Sequence, residues 1–285
     1  TLANMSLFEK KESNNSLSEA QEVTINHTIV GQTTNEDQDF YKIHLKKDQV
    51  ISMELEAMRL GRIFYDSFIA IYGSNNSELA SSDDSTRLDQ DPRLSFKAPQ
   101  DGDYFILVRD ASYKGNNEAR YRLHVGDFVF TRSLYPLGAM KDKQQTFTLQ
   151  TEHEGVVNHL ATFTQSNSNV ELFPTLPNQP NRTAPSAHLI RVTDYGFIQE
   201  KEPNAGPKHK NQASTPDLPI GFHGTIDSES DIDWLRFKAK KGQKIRAQIF
   251  ARSLGSPIDT AIQIRLADGK YISNNDDASQ GNPDS

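Results

Sequence analysis

Residues 37–61, DQDFYKIHLKKDQVISMELEAMRLG, align without a gap on residues 231–255, DIDWLRFKAKKGQKIRAQIFARSLG, Asp37 standing opposite Asp231 at a separation of 194 residues. Within the first of these, VISMELEA sets Ile51, Met53, Leu55 and Ala57 against Ser52, Glu54 and Glu56. That is the alternation of a strand with one face buried and one face wet. DYFILVRD (103–110) and RYRLHVGDF (120–128) repeat the pattern, each after a cluster of turn formers. No stretch keeps a 3.6-residue period for three turns. SLSEAQ offers at most a single turn, with Ser16 as cap and Glu19 as its capping-box partner. The chain reads as all-β, built of short strands, which means sandwiches or small barrels.

The repeat extends in both directions. DSFIAIYGSNNSELASSDD (66–84) matches DTAIQIRLADGKYISNNDD (259–277), and Asp91 and Asp284 each follow seven residues after the second Asp of their pair. Upstream, SLFEKKESNN (6–15) corresponds to GFIQEKEPNA (196–205). The first copy continues through RLSFKAPQDGDYFILVRD and ARYRLHVGDF, which the second copy lacks. The expected organisation is residues 1–8 as the last strand of a preceding domain, 9–127 as a complete antiparallel sandwich, 128–198 as a smaller β-domain, and 199–285 as a second sandwich incomplete at its C-terminal side. A unit of roughly 190 residues cut from a longer array is the expectation that follows. Half a sandwich leaves its partner faces wet, so order in the second copy is expected to need the rest of its domain or strands from another chain.

Composition excludes several classes. The chain has 285 residues, 35% hydrophobic, a net charge of −7 and no cysteine, so disulfides, thiolate zinc sites and a cysteine nucleophile are out. The basic residues are dispersed, which speaks against a nucleic-acid partner. No run approaches the length of a membrane span, and the N-terminal residues lack the pattern of a signal peptide. HEGVVNH places His153 and His159 six apart, not the four that a helical zinc motif needs. Neither a nucleophile elbow nor a glycine-rich phosphate loop is present. The chain is therefore expected not to be an enzyme.

The linker EKEPN (200–204), the start SDIDW (230–234), ARSLGSPID (251–259), NNDD (274–277) and, in the first copy, APQDGDYFILVRD (98–110) together resemble the bacterial pre-peptidase C-terminal (PPC) domain. This is a calcium-associated jelly-roll module similar to collagenase collagen-binding domains, and the resemblance covers about 9–127 and 199–285. It implies a tandem array of β-sandwiches with a non-catalytic role in a secreted or cell-surface protein. The middle segment, with LYPLGAMKDKQQTFTLQTE (134–152), resembles the immunoglobulin-like domains that alternate with such modules.

The same resemblance implies a calcium site. Carboxylates at alternate positions of an extended linker can point to one side, while a loop supplies further oxygens to a hard cation. In the second module Glu200, Glu202 and Asn204 take the linker positions and Asp233 a loop position, with Asp231 its neighbour. Ala205 and Ser230 depart from the usual pattern. In the first module Lys10 stands where Glu200 does, which leaves Glu12, Asn14, Asn15, Glu36 and Asp39 for a weakened or lost site. The competing reading makes all of these turn and cap residues. Trp234 aligns with Phe40 and reads as core. Two functions stand against each other: a structural or adhesive repeat segment of a large exported bacterial surface or matrix protein, stiffened by Ca2+, and an accessory substrate-binding region of a secreted protease or glycosidase. The implied partners are other domains of the same long chain, neighbouring copies or an extracellular polymer.

Overall fold

The computed structural model describes residues 5–61, 63–85, 87–88, 90–175, 183–204, 215–277 and 284. Thr1, Ala205 and Ser285, to which the repeat comparison extends, lie outside them. Among the described residues the regular structure is β-strand with three single 3-10 turns. The chain divides into two compact units, one holding the sequence up to Arg132 with Thr151–Gly155 and Phe173–Ser186, the other holding Ser133–Gln150, Val156–Leu172 and the sequence from Ala187.

The first unit contains ten strands among its described residues: β1 (Ser6–Glu9), β2 (Gln21–Glu22), β3 (His27–Gln32), β4 (Asp39–Leu45), β5 (Val50–Glu56), β6 (Ser67–Gly73), β7 (Glu78–Ser82), β8 (Arg93–Lys97), β9 (Gly102–Asp110) and β10 (Arg120–Gly126). They form two five-stranded sheets, in the orders β1-β3-β10-β5-β8 and β2-β4-β9-β6-β7. The strands that repeat the period-two pattern farthest along the chain are the central ones. β10 is laddered to β3 on one side and β5 on the other, with Leu123 opposite both Ile29 and Leu55. β9 lies between β4 and β6 in the same way, Ile106 facing Tyr41 and Ile71.

Between the sheets, Ile51, Met53, Leu55, Ile106, Val108, Leu123 and Val125 are buried in one core, as their alternation predicts. The opposite faces depart from the expectation of a wet side. Glu54 on β5 is fully buried, its Oε1 accepting from Arg59 Nη2 at 3.0 Å and from the Ser186 hydroxyl. His124 on β10 is also buried, with Nδ1 2.8 Å from Thr28 Oγ1. On the other sheet Phe40, Ala70, Phe105 and Leu107 form an outer apolar cluster onto which Leu17 and Ala20 pack. Alternation reports which residues share a face; it does not report whether a loop later covers that face. Ser16 and Glu19 do meet, Ser16 Oγ donating to Glu19 Oε2 at 3.0 Å, but through their side chains and not as a capping box on backbone amides.

Both copies hold one turn by the same device. Asp91 Oδ1 accepts the backbone N–H of Ala57 (3.0 Å) and Met58 (2.7 Å), while its Oδ2 accepts Arg59 Nε (2.7 Å). Asp284 Oδ1 accepts the N–H of Ala251 (2.9 Å) and Arg252 (2.7 Å). Each 3-10 turn then ends on a glycine in the left-handed region, Gly61 at φ 66° and Gly255 at φ 86°. A carboxylate that takes several orphan amides of a turn fixes a loop with no regular structure to brace it.

In the second unit, the strands Thr131–Tyr135, Gln144–Thr151 and Val156–Thr162 form one three-stranded sheet and Gly138–Met140, Ser168–Leu172 and His188–Thr193 another. Leu134, Ala139, Phe147, Leu149, Phe163, Leu172, Ile190 and Val192 make a common core. HEGVVNH is a turn through Gly155 (φ 74°) running into a strand. Among its described residues the second copy of the repeat has kept the parallel pair of Phe197–Gln199 with Gly221–His223, the counterpart of the β1–β3 pair, and one hairpin. Ile262–Arg265 and Tyr271–Asn275 form a hairpin, with a bulge between Ile264 and Arg265 that matches the one between Ile71 and Tyr72 in the β6–β7 pair. Residues 233–250, the counterparts of β4 and β5, form no ladder. In the first sandwich those two strands are laddered to β9 and β10.

The central position of β10 gives a stability expectation. Leu123→Ala should destabilise the first unit by about 3–4 kcal/mol, the cost of a large-to-small change at a fully buried site. Leu7→Ala, at an exposed position of β1, should change it by less than about 0.5 kcal/mol. Equilibrium denaturation of the two variants measures both.

Candidate metal centre

The linker that enters each module leaves a strand, Ser6–Glu9 in the first and Phe197–Gln199 in the second, and bends at Glu12 and at Glu202 and Pro203. In the first module the Lys10 amide donates to Val30 O at 2.9 Å, holding the linker along β3. Its side chain then turns inward. The Lys10 ammonium lies 2.7 Å from Glu12 Oε1, 2.8 Å from Asp37 Oδ2, 2.6 Å from Asp39 Oδ1 and 2.7 Å from the Gln32 carbonyl oxygen. Only Glu12 reaches water: its side chain is 61% exposed, against 8% for Lys10, 5% for Asp37 and 0% for Asp39. Burial works to lower the lysine, but hydrogen bonds to Asp37, Asp39 and Glu12 outweigh it and hold the ammonium above its ordinary value. Burial also pushes the Asp39 carboxyl up to about 6, against the downward pull of Lys10 and of the Tyr121 hydroxyl, which donates to Asp39 Oδ2 at 2.6 Å. Behind it Tyr121 and Tyr41 share a hydrogen bond, so the polar group is continuous with the sandwich interior.

In the second module Glu200, Glu202 and Asp233 bring a carboxylate oxygen each within 4.8 Å of one another. The Glu200 amide donates to His223 O at 3.0 Å, the same linker-to-strand attachment that Lys10 makes. The Asn204 amide donates to Glu202 Oε2 at 2.8 Å, and Asn204 Nδ2 to Asp233 Oδ1 at 3.1 Å. Asp233 reaches the linker because Gly224 lies in between: a Cβ there would stand 2.3 Å from Asp233 Oδ2. One oxygen of Glu200 and Oδ1 of Asn204 are buried with no hydrogen-bond partner. Burial, then a hydrogen bond to Asp233 and then the Asp233 charge push the Glu200 carboxyl up to about 7, with Thr225 opposing.

The structure therefore joins Glu200, Glu202, Asn204 and Asp233 and leaves Asp231 apart, its Oδ2 accepting the Asp227 amide at 2.9 Å as a turn residue. In the first module Glu12 and Asp39 meet. Asn14 is buried, and its backbone carbonyl oxygen accepts the amide of Phe40, the residue after Asp39, at 2.9 Å. Asn15 and Glu36 are exposed outside the cluster, Glu36 at a positive φ of 61° with its amide bonded to Tyr113 O. Asp37 belongs to the cluster and was missing from the sequence-derived set. The signal was present, since Asp37 aligns with Asp231, which that set included; the ammonium of Lys10 is what draws it in. An all-oxygen donor set with unsatisfied buried oxygens suits a hard divalent cation at Glu200, Glu202, Asn204 and Asp233. The first cluster does not suit one, because a lysine side chain already fills it.

A carboxyl whose folded-state value lies above the ordinary 4.5 destabilises the fold when charged. That cost is absent below pH 4.5 and complete above about pH 7. In chelator, Glu200→Gln should therefore raise the midpoint followed through Trp234 fluorescence above pH 7, by about 1 kcal/mol after solvent screening at this half-exposed site. The parent and variant curves should merge toward pH 4.

Among solved structures the chain is similar to the pre-peptidase C-terminal domain of a collagenase from Bacillus anthracis, at 18% identity and a TM-score of 0.32, over 39% of this chain and 99% of that one. It is also similar to PliG, a periplasmic inhibitor of g-type lysozyme, from Aeromonas hydrophila, at 14% identity and a TM-score of 0.29, over 38% of this chain and 96% of that one. No curated protein matches the chain. Residues 37–110, from just before β4 to the end of β9, match the family model of the bacterial pre-peptidase C-terminal domain.

Proposed function

We propose that the chain is a non-catalytic segment of an exported bacterial protein, in which PPC-type sandwiches alternate with smaller β-domains of immunoglobulin-like type as a structural or adhesive array. The observation that carries this reading is the repetition itself. The linker, the turn held by an aspartate and the bulged hairpin recur within one chain, and in the second module the linker carboxylates converge on Asp233. A matched segment of a family named for a place beside a peptidase supports export and an accessory role. No helix among the described residues is long and apolar enough to cross a membrane.

Calcium is the proposed cofactor of the second module, held by Glu200, Glu202, Asn204 and Asp233. Three carboxylates so close repel one another by an amount on the order of a few kcal/mol per pair at an effective dielectric near 20. A divalent cation replaces that repulsion with attraction and ties linker residues 200–204 to the start of their own module. Magnesium should serve less well, since it demands a tighter octahedral shell and sheds water reluctantly. The family name also supports the second reading, an accessory region that holds a polymer for a peptidase elsewhere in the same protein. Binding to a collagen or polysaccharide matrix by the whole chain would favour it.

Isothermal titration and thermal scans of the 285-residue chain test the proposal. Calcium at a hundred times its dissociation constant should stabilise the second unit by about 2.7 kcal/mol through binding to the folded state alone. Glu202→Gln should weaken that binding at least tenfold. No heat of binding and no shift would remove calcium from this reading.

A further inference from the structure

The two clusters occupy corresponding positions of the repeat with opposite chemistry at one of them. Glu12 answers to Glu202, Asn14 to Asn204, Asp39 to Asp233, and Lys10 to Glu200. We propose that the Lys10 ammonium is a built-in cation, doing permanently in the first module what a dissociable divalent ion does in the second, so that the two linkers of one chain differ in their dependence on calcium.

Geometry carries this. Four oxygens surround Lys10 Nζ at 2.6 to 2.8 Å, three from carboxylates and one from a backbone carbonyl of β3. A backbone carbonyl and carboxylates from the linker, the loop before β4 and β4 itself are the kind of oxygen set a hard cation takes. Here the charge arrives on a side chain that cannot leave, and its carbon stem fills the approach. A divalent ion at the same point would meet the ammonium at close range, with like charges in a dry environment. The side chain of Asn14 is fully buried, with neither polar atom partnered, and its backbone carbonyl oxygen accepts the amide of Phe40, the residue after Asp39. The consequence is a chain in which depletion of calcium releases one linker and leaves the other fixed. The inference rests on the cation reading of the second module only for that contrast.

The test replaces Lys10 in the whole chain. Lys10→Glu restores the carboxylate found at Glu200, and Lys10→Gln leaves a neutral side chain that can still donate to Gln32 O. By calorimetric titration, Lys10→Glu should bind one equivalent of calcium more than the parent does. Its first unit should lose thermal stability in chelator and regain it with calcium, and Lys10→Gln should bind the additional equivalent more weakly. The count is a difference from the parent, so it stands even where the parent binds none, the outcome that would sink calcium at Glu200. A Lys10→Glu chain that folds only when calcium is added supports the proposal equally. Folded variants that gain no equivalent would overturn it. Should neither variant fold with or without calcium, amide hydrogen exchange on the parent decides: protection around Glu12 and Asp39 should be the same in calcium and in chelator, and a calcium-induced change there overturns the proposal.

Discussion

Each sheet of the first sandwich depends on one long strand with ladders on both of its sides. β9 and β10 lie late in the module, so the earlier strands β3, β4, β5 and β6 have their hydrogen bonds completed only when the chain returns through them. This is a non-local arrangement, in which closure of long loops precedes the reward of pairing. The second copy shows the constraint from the other side. Its hairpin, which needs nothing beyond a few residues of turn, is formed with the same bulge, while the counterparts of β4 and β5 have apolar side chains but no ladder. Ile232, Leu266, Tyr271 and Ile272 are about half exposed. Strand propensity makes a segment eligible for a sheet; it does not replace the neighbouring backbone.

Charge is the second organising element, and it is handled in two ways. At the outer face of β5, Glu54 and Asp91 share Arg59, so two buried carboxylates are held by one guanidinium that also reaches a backbone carbonyl. At the linker, Lys10 holds three carboxylates. Buried ion pairs of this kind add little net stability over apolar packing, because desolvation offsets the attraction, but they penalise every arrangement that leaves one partner alone. Their effect is to fix where the linker and the turn after β5 lie. The second linker cluster has Glu200 where the first has Lys10, and burial together with Asp233 raises the Glu200 carboxyl.

Much of this was written in the sequence. Period-two alternation specified the inward residues of β5, β9 and β10, because side chains on a strand have no other way to sort between two faces. The repeat, at 190 residues for the linkers and 194 for the strands that follow, located both linkers, set Asp91 opposite Asp284 and placed Lys10 where the second copy has Glu200. The grouping of Glu200, Glu202, Asn204 and Asp233 was expected from the resemblance, and the structure brings these four side chains together.

Tertiary structure decided what periodicity cannot express. That Glu54 is buried follows from the loop carrying Ser186, which is 132 residues away in the chain. Asp37 and Asp231 each accept an amide of their own turn, and that Asp37 also joins the first cluster follows from the reach of the Lys10 side chain. A sequence fixes the charges and the local register of each segment. Which of them end within a few ångströms of one another depends on the fold as a whole, since burial and pairing are set by segments distant along the chain.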